Sequence, residues 1–304
     1  MEAEVGFPLR PDDHTTLARL LDLRLEEHLE ALETVSEVAS KEWSIEKALD
    51  RMLSEWEPLI YEAKPYKETG TYILAGQNIE DVQNLLDDHT VKTQTMKSST
   101  YARPFAERAK DWESFLLGTQ DKLDAWLKVQ ATWLYLEPIF NSADINKQMP
   151  VEGAKFQRVD SIWRTIMADV VKAPSCLIVG KMEGMLERLN EANSLLEEIQ
   201  KGLNAYLETK RLAFSRFFFL SNDELLEILS ETQDPTRVQP HLKKCFEGIQ
   251  RLEFSDNLDI LSMQSSEKEE VKLTNSLNPK DSHGQVELWL LGVESAMRET
   301  IRCV

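Results

Sequence analysis

The chain has 304 residues, 42% of them hydrophobic and 29% charged, enough for about two packed units at roughly 100–200 residues each. Thirty-five Lys and Arg stand against 53 Asp and Glu, a net charge of −18. That balance repels phosphate backbones and excludes general nucleic-acid binding. Gly and Pro number 11 each, about 7% together where average usage is about 12%, so long uninterrupted elements are expected. Cys176, Cys245 and Cys303 are far apart and odd in number, which fits neither a disulfide framework nor a zinc pattern. A reducing compartment is the simplest expectation. The N-terminus has no signal-peptide pattern, and no apolar run reaches the length of a membrane span.

A first helix is predicted from Asp12 or Asp13 to Ala39, with Leu17, Leu21, Leu25, Leu32, Val35 and Ala39 on one stripe. Ser44 can cap a second, carrying Ile45, Leu49, Met52 and Trp56 inward and ending at Pro58. Leu59 to Lys64 and Thr71 to Ala75 read as a β-hairpin around Pro65 to Gly70. Helical periodicity returns from Asn78 to Ser98. A helix from Pro104 to Glu137 follows, with Trp112, Leu116, Leu123, Trp126 and Trp133 in step, and Pro138 is expected to break or kink it. Another runs from Glu152 to Val171.

The longest signal runs from Leu177 to Arg211. Ile178, Met182, Met185, Leu189, Ala192, Leu196, Ile199, Leu203 and Tyr206 alternate steps of four and three. One helix over this stretch would be a rod of about 50 Å, serving as a strut or as a core helix of a bundle. Gly180, Gly184 and Gly202 are its weak points and the candidate hinge.

Ser221-Asn222-Asp223-Glu224 is a capping box, with Leu220 and Leu225 at the staple positions. That helix is expected to end by Ser230. Asp234-Pro235 starts another, with Val238, Leu242, Cys245 and Ile249 in stripe. Short β segments are predicted near 252–254, 259–263 and 271–273. A last helix runs from Ser282 to the end with no C-cap, so the chain is expected to be cut from something longer. The fold class is therefore mainly α: an elongated array of helical bundles with small β-hairpin and β-meander insertions. Three stretches are expected: residues 1–100 with the hairpin near 59–75, a Trp-rich bundle at 101–174, and residues 175–304 with the long helix, a terminal bundle and a meander near 251–274.

No phosphate loop is present: Gly180-Lys181 lacks both the upstream Gly and the following hydroxyl. The five His are isolated, and no nucleophile elbow occurs. Catalytic, cofactor-binding and metal residues are therefore none. Phe217, Phe218 and Phe219 are consecutive and cannot share one face. Either one of them, with Arg216, docks on a partner surface, or all three are buried between the long helix and the Ser221 helix.

Residues Lys210 to Leu229, including Phe217-Phe218-Phe219-Leu220-Ser221-Asn222-Asp223-Glu224-Leu225-Leu226, resemble the linker region of dynein heavy chains. So do Asp234-Pro235 through Glu247, Trp133 to Phe140, Asp144-Ile145, Met149-Pro150 and Trp289-Leu290 with Glu294 and Met297. The resemblance covers nearly the whole chain, and its wording is closer to axonemal than to cytoplasmic dyneins. One departure is Ser215, where the family usually has Pro. The resemblance implies a mechanical linker that bends and straightens over a AAA+ ring, converting ATP hydrolysis into microtubule-based movement in the cytoskeleton of a cilium or flagellum. It implies no nucleotide site in this chain, ATP and Mg being held by the ring of the parent heavy chain. The ring is the implied partner, and Arg216, Phe217, Phe218, Phe219, Ser221 and Glu224 are the candidate ring-docking or structural residues. Intermediate chains, light chains and microtubules are engaged only indirectly, and no nucleic acid or membrane is involved. The bending point is expected between the bundle holding Trp112 to Val171 and the one holding Val238 to Ile249. A static helical scaffold of spectrin-like or coiled-coil type is the alternative.

Overall fold

A computed structural model describes Thr16, Ala18, residues 28–230 and residues 234–303. The start of the first expected helix, including Leu21 and Leu25, lies outside the described residues. The chain divides into two compact units, residues 1–124 with 166–186, and residues 125–165 with 187–304. The fold is mainly α with two small antiparallel sheets.

In the first unit, α1 spans Leu29–Trp56 without interruption, which corrects the expected break between Ala39 and Ser44. No Gly or Pro occurs between 29 and 56, so nothing local ends the helix and Ser44 is an interior position. A hairpin of β1 (Ala63–Tyr66) and β2 (Thr71–Leu74) follows, in the register Ala63 to Leu74 and Tyr66 to Thr71. Its first strand starts later than Leu59, because residues 59–61 pair elsewhere. Cys176 N–H donates to the Leu59 carbonyl (2.9 Å) and Tyr61 N–H to that of Pro174 (2.8 Å).

Next come α2 (Gly76–Lys97), a 3-10 turn (Thr100–Phe105) and α3 (Ala106–Phe140). Of the expected break or kink at Pro138, the break does not occur: α3 runs on to Phe140. Pro138 sits in the last turn, where the N–H it lacks removes one hydrogen bond at the end of the ladder. The first-unit core is aromatic: Trp56 meets Trp112 edge-on at 6.1 Å and Phe115 at 5.5 Å. The later part of α5 (Pro150–Lys172) and the short α6 (Cys176–Gly180) complete it.

Residues 125–140 of α3 and the first part of α5 build the second unit, with α4 (Ala143–Gln148) and most of α7 (Met185–Ala213). Trp133 stacks on Trp163 at 5.5 Å, and Phe140 on Phe156 at 5.2 Å. The expected single rod from Leu177 to Arg211 is corrected to two helices with a turn at residues 181–184. Gly184 turns the chain at φ +68°, a conformation that favours residues without a Cβ. The stripe from Met185 to Leu203 is buried as its period requires, whereas Ile178, before the turn, is 52% exposed.

Beyond α7 lie a 3-10 turn (Ser215–Phe219), α8 (Asn222–Ser230), a second turn (Pro235–Val238) and α9 (Gln239–Cys245). The meander β3 (Arg251–Phe254), β4 (Ile260–Gln264), β5 (Glu270–Leu277) is antiparallel in that order. Helix α10 (Val286–Cys303) follows a 3-10 turn at Pro279–Ser282. The Thr274 N–H donates to Thr300 Oγ1 (3.1 Å), tying β5 to α10. Among the described residues no helix is long and apolar enough to cross a membrane.

Candidate functional site

The segment after α7 is built on a period of three. Phe214 leaves the helix in an extended conformation. The N–H of Phe217 then donates to the Phe214 carbonyl (2.9 Å), and that of Leu220 to the Phe217 carbonyl (3.1 Å). A 3-10 turn has three residues per turn, so side chains three apart fall in line. Phe214, Phe217 and Leu220 are accordingly buried, while Phe218 and Phe219 are 59% and 69% exposed. Full burial of all three consecutive Phe is therefore excluded. Phe217 anchors the turn, with its ring edge-on to Phe214 at 5.0 Å. Leu212, at the end of α7, is also exposed; it was not singled out from the sequence.

Two arginines hold this turn. Arg216 donates through Nη1 to the Cys245 carbonyl at the end of α9 (3.1 Å), and its Nη2 lies 3.5 Å from Glu294 Oε1. Its guanidinium sits 5.0 Å from the centre of the Phe246 ring. A cation beside the last carbonyls of a helix meets the negative end of the dipole. Arg211 donates through Nη2 to the Leu220 carbonyl (3.1 Å) and to Asn222 Oδ1 (2.8 Å). Arg216 thus fixes the turn rather than pointing free, and Arg211 does the same from a position that carried no special signal in the sequence.

The capping box forms in both directions. The Glu224 N–H donates to Ser221 Oγ (3.2 Å), and the Ser221 N–H donates to Glu224 Oε2 (3.0 Å). Leu220 and Leu225 are both buried beside it, as the staple requires. Lys244 pairs with the other Glu224 oxygen. That lysine first, and the Ser221 N–H second, hold the Glu224 carboxyl down to about 2. At Asp234-Pro235 the Asp234 carboxylate accepts from the Thr236 N–H (3.0 Å) and its hydroxyl (2.6 Å).

The three candidate hinge glycines have different surroundings. Gly184 is the turn residue already described. A Cβ on Gly180 would stand 2.5 Å from the Phe115 ring and 2.6 Å from Thr119 Oγ1. A Cβ on Gly202, inside α7, would stand 2.5 Å from Glu152 Oε1. The structure brings Arg216, Phe217, Phe218, Phe219, Ser221 and Glu224 into one short stretch, and the glycines are not part of it.

Burial pushes the Cys245 thiol up to about 11 and the Cys176 thiol up to about 12, so neither is a ready nucleophile. Among the described residues no cluster of His, Cys, Asp or Glu could hold a metal ion. What the segment offers chemically is an exposed aromatic pair on a well-anchored turn, a surface suited to contact rather than to reaction.

Residues 1–304 match the family described as dynein heavy chain, N-terminal region 2. The chain is 51% identical to dynein axonemal heavy chain 12 of Rattus norvegicus over 304 residues, all of this chain and 10% of that protein. It is 53% identical to dynein axonemal heavy chain 3 of Homo sapiens over 298 residues, 98% of this chain and 7% of that protein. With dynein axonemal heavy chain 1 of Mus musculus the identity is 49% over 298 residues, again 98% and 7%. The chain thus spans about a tenth or less of the length of these relatives. A match along its whole length makes this chain a member of the dynein heavy chain N-terminal region 2 family.

Proposed function

We propose that this chain is the mechanical linker of an axonemal dynein heavy chain, a lever that bends and straightens over a AAA+ ring in the axoneme of a cilium or flagellum. In this reading ATP and Mg are bound by the ring, and the chain turns over no nucleotide itself. The observation that carries the reading is the match along the whole chain to the N-terminal region 2 family, together with relatives named as axonemal dynein heavy chains.

The lever reading has physical support. Helices packed through stacked Trp and Phe faces resist compression, so force applied at one point of a bundle is passed on. Phe218 and Phe219 stand exposed on a turn that Phe217, Arg211 and Arg216 hold in place. Two aromatic rings on a rigid support are a low-entropy docking surface. The ring of the same heavy chain is their proposed partner. Bending is assigned to the turn at residues 181–184, where the helical path is interrupted and Gly184 has positive φ.

The test uses a full heavy chain with its ring, carrying one fluorophore near residue 218 and one on the ring. A nucleotide-dependent change in transfer efficiency is expected, together with slower microtubule gliding in Phe218→Ala/Phe219→Ala at unchanged melting temperature. A separation that stays constant through the nucleotide cycle overturns the lever and leaves the static scaffold.

A further inference from the structure

The second unit contains a cleft of about 710 Å³ that the lever reading does not use. It is lined by Lys147 at the end of α4, Lys210 of α7, and Lys280 and His283 of the turn before α10, with Asp144 of α4 the one carboxylate among them. The lysines are not equally occupied. Lys210 is held by Glu287 of α10 at 2.5 Å, with both side chains largely buried. Lys147 has only a loose contact with Asp144, at 4.0 Å. Lys280 and His283 have no ion pair among the described residues, and both are exposed. Three lysines line the cleft against one lining carboxylate, Asp144, and Glu287 takes Lys210, so a small local surplus of positive charge remains on a chain whose net charge is −18. Acids farther off weigh less, because charges beyond about 8 Å are largely screened at physiological salt.

The rest of the lining narrows the choice of ligand. Tyr206, Pro235 and Pro279 contribute apolar surface between the cations. Tyr206 donates its hydroxyl hydrogen bond to Gln148, and Lys210 lies 5.4 Å from the centre of the Tyr206 ring, so this surface is held in place. A cleft of this size matches ligands of several residues, since small-molecule pockets run to about 300–1,000 Å³. A single phosphate would leave most of it to water. Mixed proline and tyrosine surface edged by lysines suits an extended backbone carrying carboxylates.

We propose that this cleft binds an acidic peptide segment of a partner protein, with Lys147 and Lys280 receiving Asp or Glu side chains. Exposed ion pairs are individually weak. The affinity then comes from several pairs together and falls as salt is raised.

The test measures anisotropy of a fluorescein-labelled decaglutamate peptide with the 304-residue chain. Salt-sensitive binding is expected. Lys147→Glu/Lys280→Glu should weaken it at least about tenfold. Lys41→Glu/Lys92→Glu, an equal charge change on exposed lysines of the first unit, should weaken it far less. On the unaltered chain, carbodiimide crosslinking should join the peptide to Lys147 or Lys280. Absence of binding, equal weakening in the two double variants, or crosslinks spread over other lysines overturns the proposal. So does binding of inorganic pyrophosphate in the cleft with no binding of the peptide.

Discussion

The two units bury the same kind of side chain and satisfy it differently. In the first, the buried Trp56 indole donates to His89 Nδ1 (3.0 Å), and His89 Nε2 lies 3.0 Å from Glu55 Oε2. In the second, the buried Trp133 indole donates straight to Asp160 Oδ1 (3.1 Å), whose other oxygen takes Arg164 Nε at 2.6 Å. Both chains lead an indole N–H out of an aromatic core to a carboxylate. One inserts an imidazole, the side chain whose ordinary titration lies near neutral pH. The lesson is that equal burial does not mean equal response to acid.

The largest expected effect tests the shared part. Trp56→Ala and Trp133→Ala should each cost about 3–5 kcal/mol, read from urea midpoints at pH 7.5. A much smaller loss for either would mean that its core closes over the gap, and the likeness between the units fails.

Overpacking comes next. Gly180→Ala drives a methyl into the Phe115 ring, which is itself packed against Trp56 and Trp112. It should cost about 1–3 kcal/mol. Gly202→Ala meets the Glu152 side chain from Cγ (2.9 Å) to Oε1 (2.5 Å), a flexible group that must swing from near its root. Helix propensity, up to about 1 kcal/mol in favour of alanine, offsets part of that strain. A smaller loss than for Gly180→Ala is expected in calorimetry, and equal destabilisation would contradict this account.

Acid separates the units most directly. Burial, against the pull of Glu55 and Asp88, holds the His89 imidazole below its ordinary 6.5. Lys92, which also faces it, pushes the same way as burial, and Arg51 pairs with Glu55. Protonation would set an imidazole N–H against the Trp56 N–H. A group with depressed folded pKa gives stability that is present above 6.5 and lost as pH falls through its folded value. Unfolding midpoints should therefore fall between pH 7 and 5, and His89→Gln should flatten that slope.

The Glu224 carboxyl, in the second unit, is held down to about 2 from 4.5. Its contribution is present above 4.5 and lost only as pH falls toward 2. The smallest effect is Ser221→Ala, about 1 kcal/mol, which should leave the pH 7 to 5 slope unchanged. A change in that slope would mean that the two regions do not respond separately.

Much of this was legible in the sequence, and the successes share a cause. The capping box at Ser221, the Asp234-Pro235 start and the stripe from Met185 to Leu203 depend on residues within a turn or two of one another. Local geometry decides them wherever the segment lies. The spacing of Phe214, Phe217 and Leu220 was also there to read, since it matches a 3-10 turn, but a helical or extended period hid it. Ser44 does not start a helix in α1, because a serine caps a helix only where something before it ends one.

What the amino-acid order determined alone is a mainly helical chain with two small β insertions, its caps and its membership of a dynein heavy chain family. Those follow from short-range periodicity and from wording long enough to be specific. The tertiary structure alone decided that residues 59–61 pair with 174–176, that the long heptad pattern breaks at 181–184, and that His89 stands between Trp56 and Glu55. It also brought Lys147 and Lys280 to one cleft. Each of these joins groups far apart along the chain, or sets packing against a favourable local pattern, and no local period encodes that choice.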